Sequence, residues 1–277
     1  MEKVGNILTY FKTSLANGFD EREVSSWAYL SISHILGFSK SDCIIEANEE
    51  LTEETQNQFL EIVNELKCGK PIQYIFGEID FFNIKLKVNK SVLIPRPETE
   101  ELVDWILQEE VNSILDLGTG SGCIAIALAK NMQAKITAID VSNEALNIAE
   151  ENAKLNAVVI DFLLKDILKT TSLPKVDLIV SNPPYVLHKE KNKMKKNVLA
   201  YEPHLALFVS DNNPIIFYEK IGKLAAKYLN HNGKLFFEIN EQYSQEIIIM
   251  LSKFGFVNIE LKKDINDKDR MIKAVWK

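Results

Sequence analysis

The sequence predicts an α/β fold, a doubly wound and mainly parallel sheet, preceded by a small N-terminal helical domain. Three observations carry this. The apolar run Ser113-Ile114-Leu115-Asp116-Leu117 enters a glycine-rich loop, Gly118-Thr119-Gly120-Ser121-Gly122, and then a segment of helical composition from Cys123 to Ala129. Strand-like and helix-like stretches then alternate over residues 135–139, 144–156, 158–164 and 176–181, the order that builds a parallel sheet with helical crossovers. Ahead of the loop, Val4, Ile7, Leu8, Phe11 and Leu15 recur at helical spacing, and Phe59, Ile62, Val63 and Leu66 repeat the pattern.

Taken in chain order, residues 1–70 read as a helical bundle. Asp20 and Glu23 form a capping pair ahead of Val24, and Gly69 followed by Pro71 stops the last helix. Residues 71–96 read as a connector containing a half-buried β-hairpin, because Ile84, Leu86 and Val88 alternate with Lys85 and Lys87. Pro97 then opens a helix whose acidic first turn, Glu98, Glu100 and Glu101, suits its positive end, and 97–277 form the larger domain. Arg96 reads equally well as a site residue or as a structural ion-pair donor.

Composition narrows the function. The 277 residues suffice for one substantial core and a smaller domain. With 32 basic and 39 acidic side chains the formal charge is −7, a poor match for duplex DNA, so no stable nucleic-acid binding is expected. Three scattered cysteines and four histidines, His34, His188, His204 and His231, show no metal or disulfide spacing, so no metal is expected. No apolar run spans a bilayer and the N-terminus is amphipathic, which predicts a soluble, cytoplasmic protein. The basic run His188-Lys189-Glu190-Lys191-Asn192-Lys193-Met194-Lys195-Lys196 reads as a solvated loop or as a lid over a substrate.

Two motifs carry chemistry. The glycine loop lets backbone approach a ligand at a helix N-terminus. It departs from the dinucleotide fingerprint, since its third glycine comes one residue early and Cys123 occupies the sixth position. Asp140, ending the next apolar run, stands where an acidic side chain accepts both hydroxyls of a ribose. The second motif, Asn182-Pro183-Pro184-Tyr185, follows the run 177–181. The Asn182 side-chain carbonyl and the Pro183 main-chain carbonyl are two acceptors for a planar NH2 group, the prolines stiffen them, and Tyr185 supplies a flat wall. An amide or exocyclic amine has a delocalised lone pair, so such a nitrogen must be positioned in front of an electrophile.

Together these residues resemble the S-adenosylmethionine-dependent amino methyltransferases. Leu93-Ile94-Pro95-Arg96-Pro97-Glu98-Thr99-Glu100, Tyr201-Glu202-Pro203 with Ala206-Leu207, Gly233-Lys234-Leu235 with Glu238, and Lys263-Asp264 with Arg270 narrow the resemblance. Across nearly the whole chain it is similar to the protein-(glutamine-N5) methyltransferases of peptide chain release factors, the PrmC/HemK family. That resemblance implies a class I methyltransferase fold, S-adenosyl-L-methionine as cofactor, and bacterial-type release factors as partners. The methyl acceptor would be the glutamine of their Gly-Gly-Gln motif, and the helical bundle would help bind the factor. Asp116, Gly118, Thr119, Gly120, Ser121, Gly122, Asp140, Asp166, Ile167 and Asn182 are then the expected cofactor contacts. Asn182, Pro183, Pro184 and Tyr185 are the expected substrate contacts, with Asn182, Pro183 and Tyr185 catalytic.

Two departures from the family pattern stand out: Ile167 where an aromatic is common, and Asp211-Asn212-Asn213-Pro214-Ile215 where a glycine and leucine often follow the acid or amide. Asp166 reads alternatively as a helix cap, and Asp116 as a loop-closing acceptor. Two other functions remain open at this point: an adenine-N6 methyltransferase acting on DNA or RNA, which needs the same two acceptors, and a non-catalytic S-adenosylmethionine-binding module.

Overall fold

The computed structural model describes residues 1–277 and divides into two compact units, Met1–Gly77 and Glu78–Lys277. No helix is long and apolar enough to cross a membrane.

The first unit holds five helices: α1 (Ile7–Leu15), α2 (Glu21–Leu36), α3 (Asp42–Ile45), α4 (Glu53–Lys67) and α5 (Ile72–Phe76). Their stripes meet in one core of Ile7, Phe11, Leu15, Val24, Ala28, Phe59, Val63 and Leu66. Asp20 caps α2 by accepting from the backbone amides of Arg22 and Glu23. The helical unit extends past the predicted end at residue 70, because Ile72 on α5 is buried in the same core. Gly77, at φ +73, ends it, so the hairpin begins only at Glu78.

The hairpin strands β1 (Glu78–Phe81) and β2 (Ile84–Lys87) turn through Phe82 and Asn83, both at positive φ, the geometry of a tight two-residue turn. Then come α6 (Pro97–Ile106), β3 (Ser113–Leu117), α7 (Cys123–Asn131), β4 (Lys135–Asp140), α8 (Asn143–Leu155), β5 (Asp161–Leu164) and β6 (Val176–Ser181). The short β7 (Val186–Leu187), α9 (Lys196–Tyr201), α10 (His204–Leu207) and β8 (Phe208–Val209) precede α11 (Ile216–Tyr228), β9 (Leu229–Glu238), α12 (Ser244–Phe254), β10 (Phe256–Lys263) and β11 (Asp269–Trp276).

Seven strands form one sheet in the order β10-β11-β9-β6-β3-β4-β5. The five from β9 to β5 are parallel, and β11 runs antiparallel to both β9 and β10. Strand order reverses beside β3, where β4 and β5 lie to one side and β6 and β9 to the other. Crevices at such a reversal, off the carboxyl ends of the strands, are where ligands bind in doubly wound sheets.

Alternation along each strand assigns the two faces. Leu115, Leu117, Ile179, Leu235 and Phe237 pack with Tyr218 and Ile221 of α11 and Ile247 and Leu251 of α12. Ile114, Leu178, Val180 and Phe236 pack on the other face with Leu102, Val103 and Ile106 of α6 and the apolar side of α7. The even-numbered Asp116 and Glu238 therefore point toward the α6 and α7 face, a placement with consequences for the site.

Candidate active site

A cleft of about 420 Å³ opens over the carboxyl ends of β3, β4 and β6. The glycine loop lines one wall. Gly118, Gly120 and Gly122 all have positive φ, and a Cβ on Gly118 or Gly120 would meet nothing within 4 Å, so these glycines are required by the backbone turn and not by crowding. At Gly122 a Cβ would lie 2.9 Å from Ile126 Cδ1 and 3.2 Å from Ala149 Cβ, so close packing of α7 on α8 also excludes a side chain there.

Two carboxylates shape that loop. Asp140 accepts from the Gly120 amide at 2.9 Å through one oxygen and from the Ser142 amide at 2.9 Å through the other, while still lining the cleft. A carboxylate has about four lone-pair sites, so both oxygens keep acceptor capacity. Asp116 is fully buried and does not line the cleft, contrary to its expected place among the ligand contacts. It accepts the Thr119 hydroxyl at 2.6 Å, which makes it the loop-closing acceptor. Burial, aided by the charge of Asp140, pushes its carboxyl up to about 7 from 3.8. Its Oδ1 and the Ser121 hydroxyl are buried polar atoms with no hydrogen-bond partner in the protein.

Asp166 and Ile167 line the cleft beyond Asp140. Asp166 also caps the turn after β5, accepting from the Leu168 amide at 2.9 Å, and the hydrogen bond from Lys169 holds its carboxyl below the usual range. Cap and cleft wall coincide in one residue. Ile124, Ala145, Leu168 and Phe217 add apolar surface around it.

Asn182, Pro183 and Pro184 form the opposite wall. Asn182 donates from Nδ2 to Thr99 Oγ1 at 3.4 Å, which leaves its side-chain carbonyl unused. Tyr185 does not line the cleft. Its hydroxyl lies 3.2 Å from Glu238 Oε1, and burial together with the Glu238 charge raises the phenol well above its ordinary value, so it stays protonated and donates. Glu238, only 1% exposed, also accepts from Thr99 Oγ1 at 2.6 Å. Burial raises its carboxyl, opposed by the Thr99 hydroxyl and by Arg270, which Asp264 holds at 2.9 Å.

Arg96 settles as an ion-pair donor that also lines the cleft. Its guanidinium meets the buried Glu202 at 2.6 Å, and Glu202 also accepts from the Ile94 amide, which ties the 94–96 segment to the chain beyond α9. The basic run is not a loop: residues 188–193 form a 3-10 helix, with Glu190 accepting from the Leu187 amide and the Gln242 side chain.

Thr99, Glu202 and Glu238 stand within the segments that carry the family resemblance but had no site role there, and two of them also have a signal in the patterning. Thr99 shares the buried stripe of α6 with Leu102, Val103 and Ile106, and Glu238 interrupts the run Leu235-Phe236-Phe237 with Ile239. A polar or charged residue in a core-facing pattern is the informative exception. A larger groove, about 740 Å³, lies along α2 and Ser39-Lys40 of the helical unit, but it gathers none of these groups.

With that geometry in place, the relatives decide the family. A release factor glutamine methyltransferase from Flavobacterium psychrophilum is 48% identical over 280 residues, covering 98% of each chain. The chain belongs to the release factor glutamine methyltransferase family. A member from Bacteroides thetaiotaomicron is 40% identical over 98% of this chain and 99% of that one, and a Streptococcus pneumoniae member is 43% identical over 88% and 87%. Residues 6–77 match the PrmC N-terminal domain and residues 97–204 the methyltransferase small domain. A methyltransferase structure from Pyrococcus furiosus shares the fold at a TM-score of 0.53 and 18% identity, over 81% of this chain and 98% of that one. This chain thus combines a helical N-terminal domain with a Rossmann-like methyltransferase domain, the two units found here.

Proposed function

We infer that the chain transfers a methyl group from S-adenosyl-L-methionine to the side-chain amide nitrogen of the glutamine in the Gly-Gly-Gln motif of peptide chain release factors. The observation that carries this reading is Asn182: at the end of β6, its amide nitrogen is engaged by Thr99 and its carbonyl remains available in the cleft. The full-length kinship with release factor glutamine methyltransferases supports the choice of acceptor.

The donor set suits that cofactor. Asp140 keeps acceptor capacity for vicinal hydroxyls, and Asp166 beside Ile167 and Leu168 suits an amine on a flat apolar ring. When bound, S-adenosylmethionine supplies an electrophilic methyl on a sulfonium sulfur. Asn182 Oδ1 and the Pro183 carbonyl would accept the two N–H bonds of the glutamine amide, holding its plane so that the nitrogen lone pair faces the donor. Proximity and alignment of this kind contribute up to roughly 7–11 kcal/mol to a transfer between two bound molecules. Pro183 and Pro184 remove backbone donors that would compete for those acceptors. Tyr185, tied to Glu238, stiffens the segment from behind. In the helical unit, the groove along α2 with Arg22, Tyr29, Leu30 and Lys40 is the surface on which the release factor would rest.

The test is methyl transfer from labelled S-adenosylmethionine to a bacterial-type release factor, beside its Gly-Gly-Gln glutamine→Ala variant and duplex DNA. Label on the wild-type factor alone is the expected result. Label on DNA would move the reading to an exocyclic amine, and cofactor binding without label on any of the three would rule out this acceptor.

A further inference from the structure

Asn182 accepts a substrate N–H only if its side-chain amide is turned one way round. Nothing within Asn182-Pro183-Pro184-Tyr185 imposes that choice, because the carbonyl and NH2 ends of an amide have nearly the same shape and opposite hydrogen-bonding character.

We propose that Thr99 and Glu238 are positioning residues that set the orientation of the Asn182 amide, and that the buried carboxylate of Glu238 is retained for this purpose. The proposal rests on the functional reading of Asn182 given above.

The argument is one of proton direction. Glu238 receives the Thr99 hydroxyl at 2.6 Å on Oε2 and the Tyr185 hydroxyl at 3.2 Å on Oε1. In its ionised form, which the Arg270 charge and the two hydroxyls favour against the burial that raises its carboxyl, Glu238 offers only lone pairs, so both hydroxyls donate to it. Thr99 has then spent its single proton, and its oxygen can only accept. The group facing it, 3.4 Å away, must therefore be the Asn182 NH2, and the Asn182 carbonyl is left for the cleft. At that length the Asn182–Thr99 bond is weak, but its direction decides the matter: the flipped amide would set oxygen lone pair against oxygen lone pair.

Burial makes the relay exclusive. Thr99 and Glu238 are 2% and 1% exposed, so water has little access to supply an alternative partner. A buried carboxylate is expensive to keep, and a core that needed only volume there would be served better by an apolar side chain. An amide in place of Glu238 could donate to Thr99, release the hydroxyl proton toward Asn182, and so permit the wrong orientation. The arrangement also comes from three separate places: Thr99 from the first turn of α6, Glu238 from the end of β9, and Asn182 from the end of β6. The alternation that points Glu238 at the α6 face is what brings them together.

The experiment uses the full-length chain, labelled S-adenosylmethionine and a full-length bacterial-type release factor. Thr99→Val keeps the side-chain shape and removes the acceptor, and kcat should fall at least about tenfold. KM for the release factor and calorimetric affinity for S-adenosylmethionine should stay within about twofold, which a general loss of structure would not allow. Thr99→Ser, which restores the hydroxyl, should recover most of the lost turnover, and Glu238→Gln should lower kcat without raising KM. If Thr99→Val melts below the assay temperature, Thr99→Ala removes the same acceptor and is judged by the same criteria. Full turnover in Thr99→Val, or a Thr99→Ser as slow as Thr99→Val, would overturn the positioning role. Wild-type turnover in Glu238→Gln would remove Glu238 from it. A wild-type chain that labels no release factor overturns the functional reading itself, and this proposal with it.

Discussion

The two walls of the cleft are built on different principles. The wall made by residues 118–122 is a backbone structure: positive-φ glycines turn the chain at the end of β3, and two carboxylates, Asp116 of β3 and Asp140 at the end of β4, brace the turn. The wall made by Asn182-Pro183-Pro184 is a side-chain structure, whose working group is oriented by Thr99 and, behind it, Glu238, residues 83 and 56 positions away in sequence. Backbone walls tolerate change at their surface but not at their glycines. The side-chain wall depends on its polar partners as well as on the stiff backbone of Pro183 and Pro184.

Four sets of variants sharpen this contrast. Asn182→Ala should have the largest effect, lowering methyl transfer roughly a hundredfold to a thousandfold while leaving S-adenosylmethionine affinity intact. Label-transfer kinetics beside calorimetry separate the two, and a variant that lost cofactor affinity instead would place Asn182 on the cofactor side of the site.

On the backbone wall, Gly122→Ala should cost about 3 kcal/mol, because it combines a left-handed φ with a Cβ jammed against Ile126 and Ala149. Gly118→Ala, with the same φ class and open space, should cost only about 1 kcal/mol. Urea unfolding of the pair measures the difference, and equal losses would mean that packing of α7 on α8 plays no part.

Arg96→Ala should cost about 2 kcal/mol, since it strands the Glu202 carboxylate, which is buried. The double variant with Glu202→Gln should recover part of that loss in the same assay, and a purely additive double variant would show that the two groups do not interact.

The remaining effect concerns pH. The folded chain holds the Asp116 proton up to about pH 7, against 3.8 for an exposed carboxyl, because burial disfavours the charge. Between those values the folded state binds more protons than the unfolded state, so this contribution to stability is complete at low pH and is lost as pH rises toward 7. Asp116→Asn has no such proton to lose, so its stability relative to the parent should rise between about pH 4 and pH 7 and level off above. Unfolding midpoints measured at both ends of that range check the sign; a constant difference would mean that Asp116 is ionised throughout.

The same contrast explains which parts of the molecule could be read from residues alone. Element identities were largely legible, because Phe11, Phe59 and Leu102 repeat at the helical period and the hairpin alternates at two. The helical unit was read about seven residues short, since α5 is five residues long and carries too little periodicity to stand apart from the Gly69-Pro71 stop before it. In the site, the glycine loop, Asp140, Asp166 and Asn182 were legible as strand-end residues, and the cleft gathers them except for Gly122, which does not line it. Asp116 and Tyr185 were legible as positions but not in placement: Asp116 is buried, Tyr185 is half-buried, and neither lines the cleft.

By itself, then, the sequence determined what is encoded over short range: the strand, glycine loop and helix unit, the helical and alternating stripes, and the local chemistry of Asn182-Pro183-Pro184-Tyr185. Only the tertiary structure decided the pairing of Arg96 with Glu202, the retreat of Asp116 from the cleft, and the line from Glu238 through Thr99 to Asn182. The physical reason is that a backbone turn is specified by the φ its own residues permit, whereas the direction of a hydrogen bond is specified by the partner. Here each partner arrives from another strand or helix, at a distance no local pattern records.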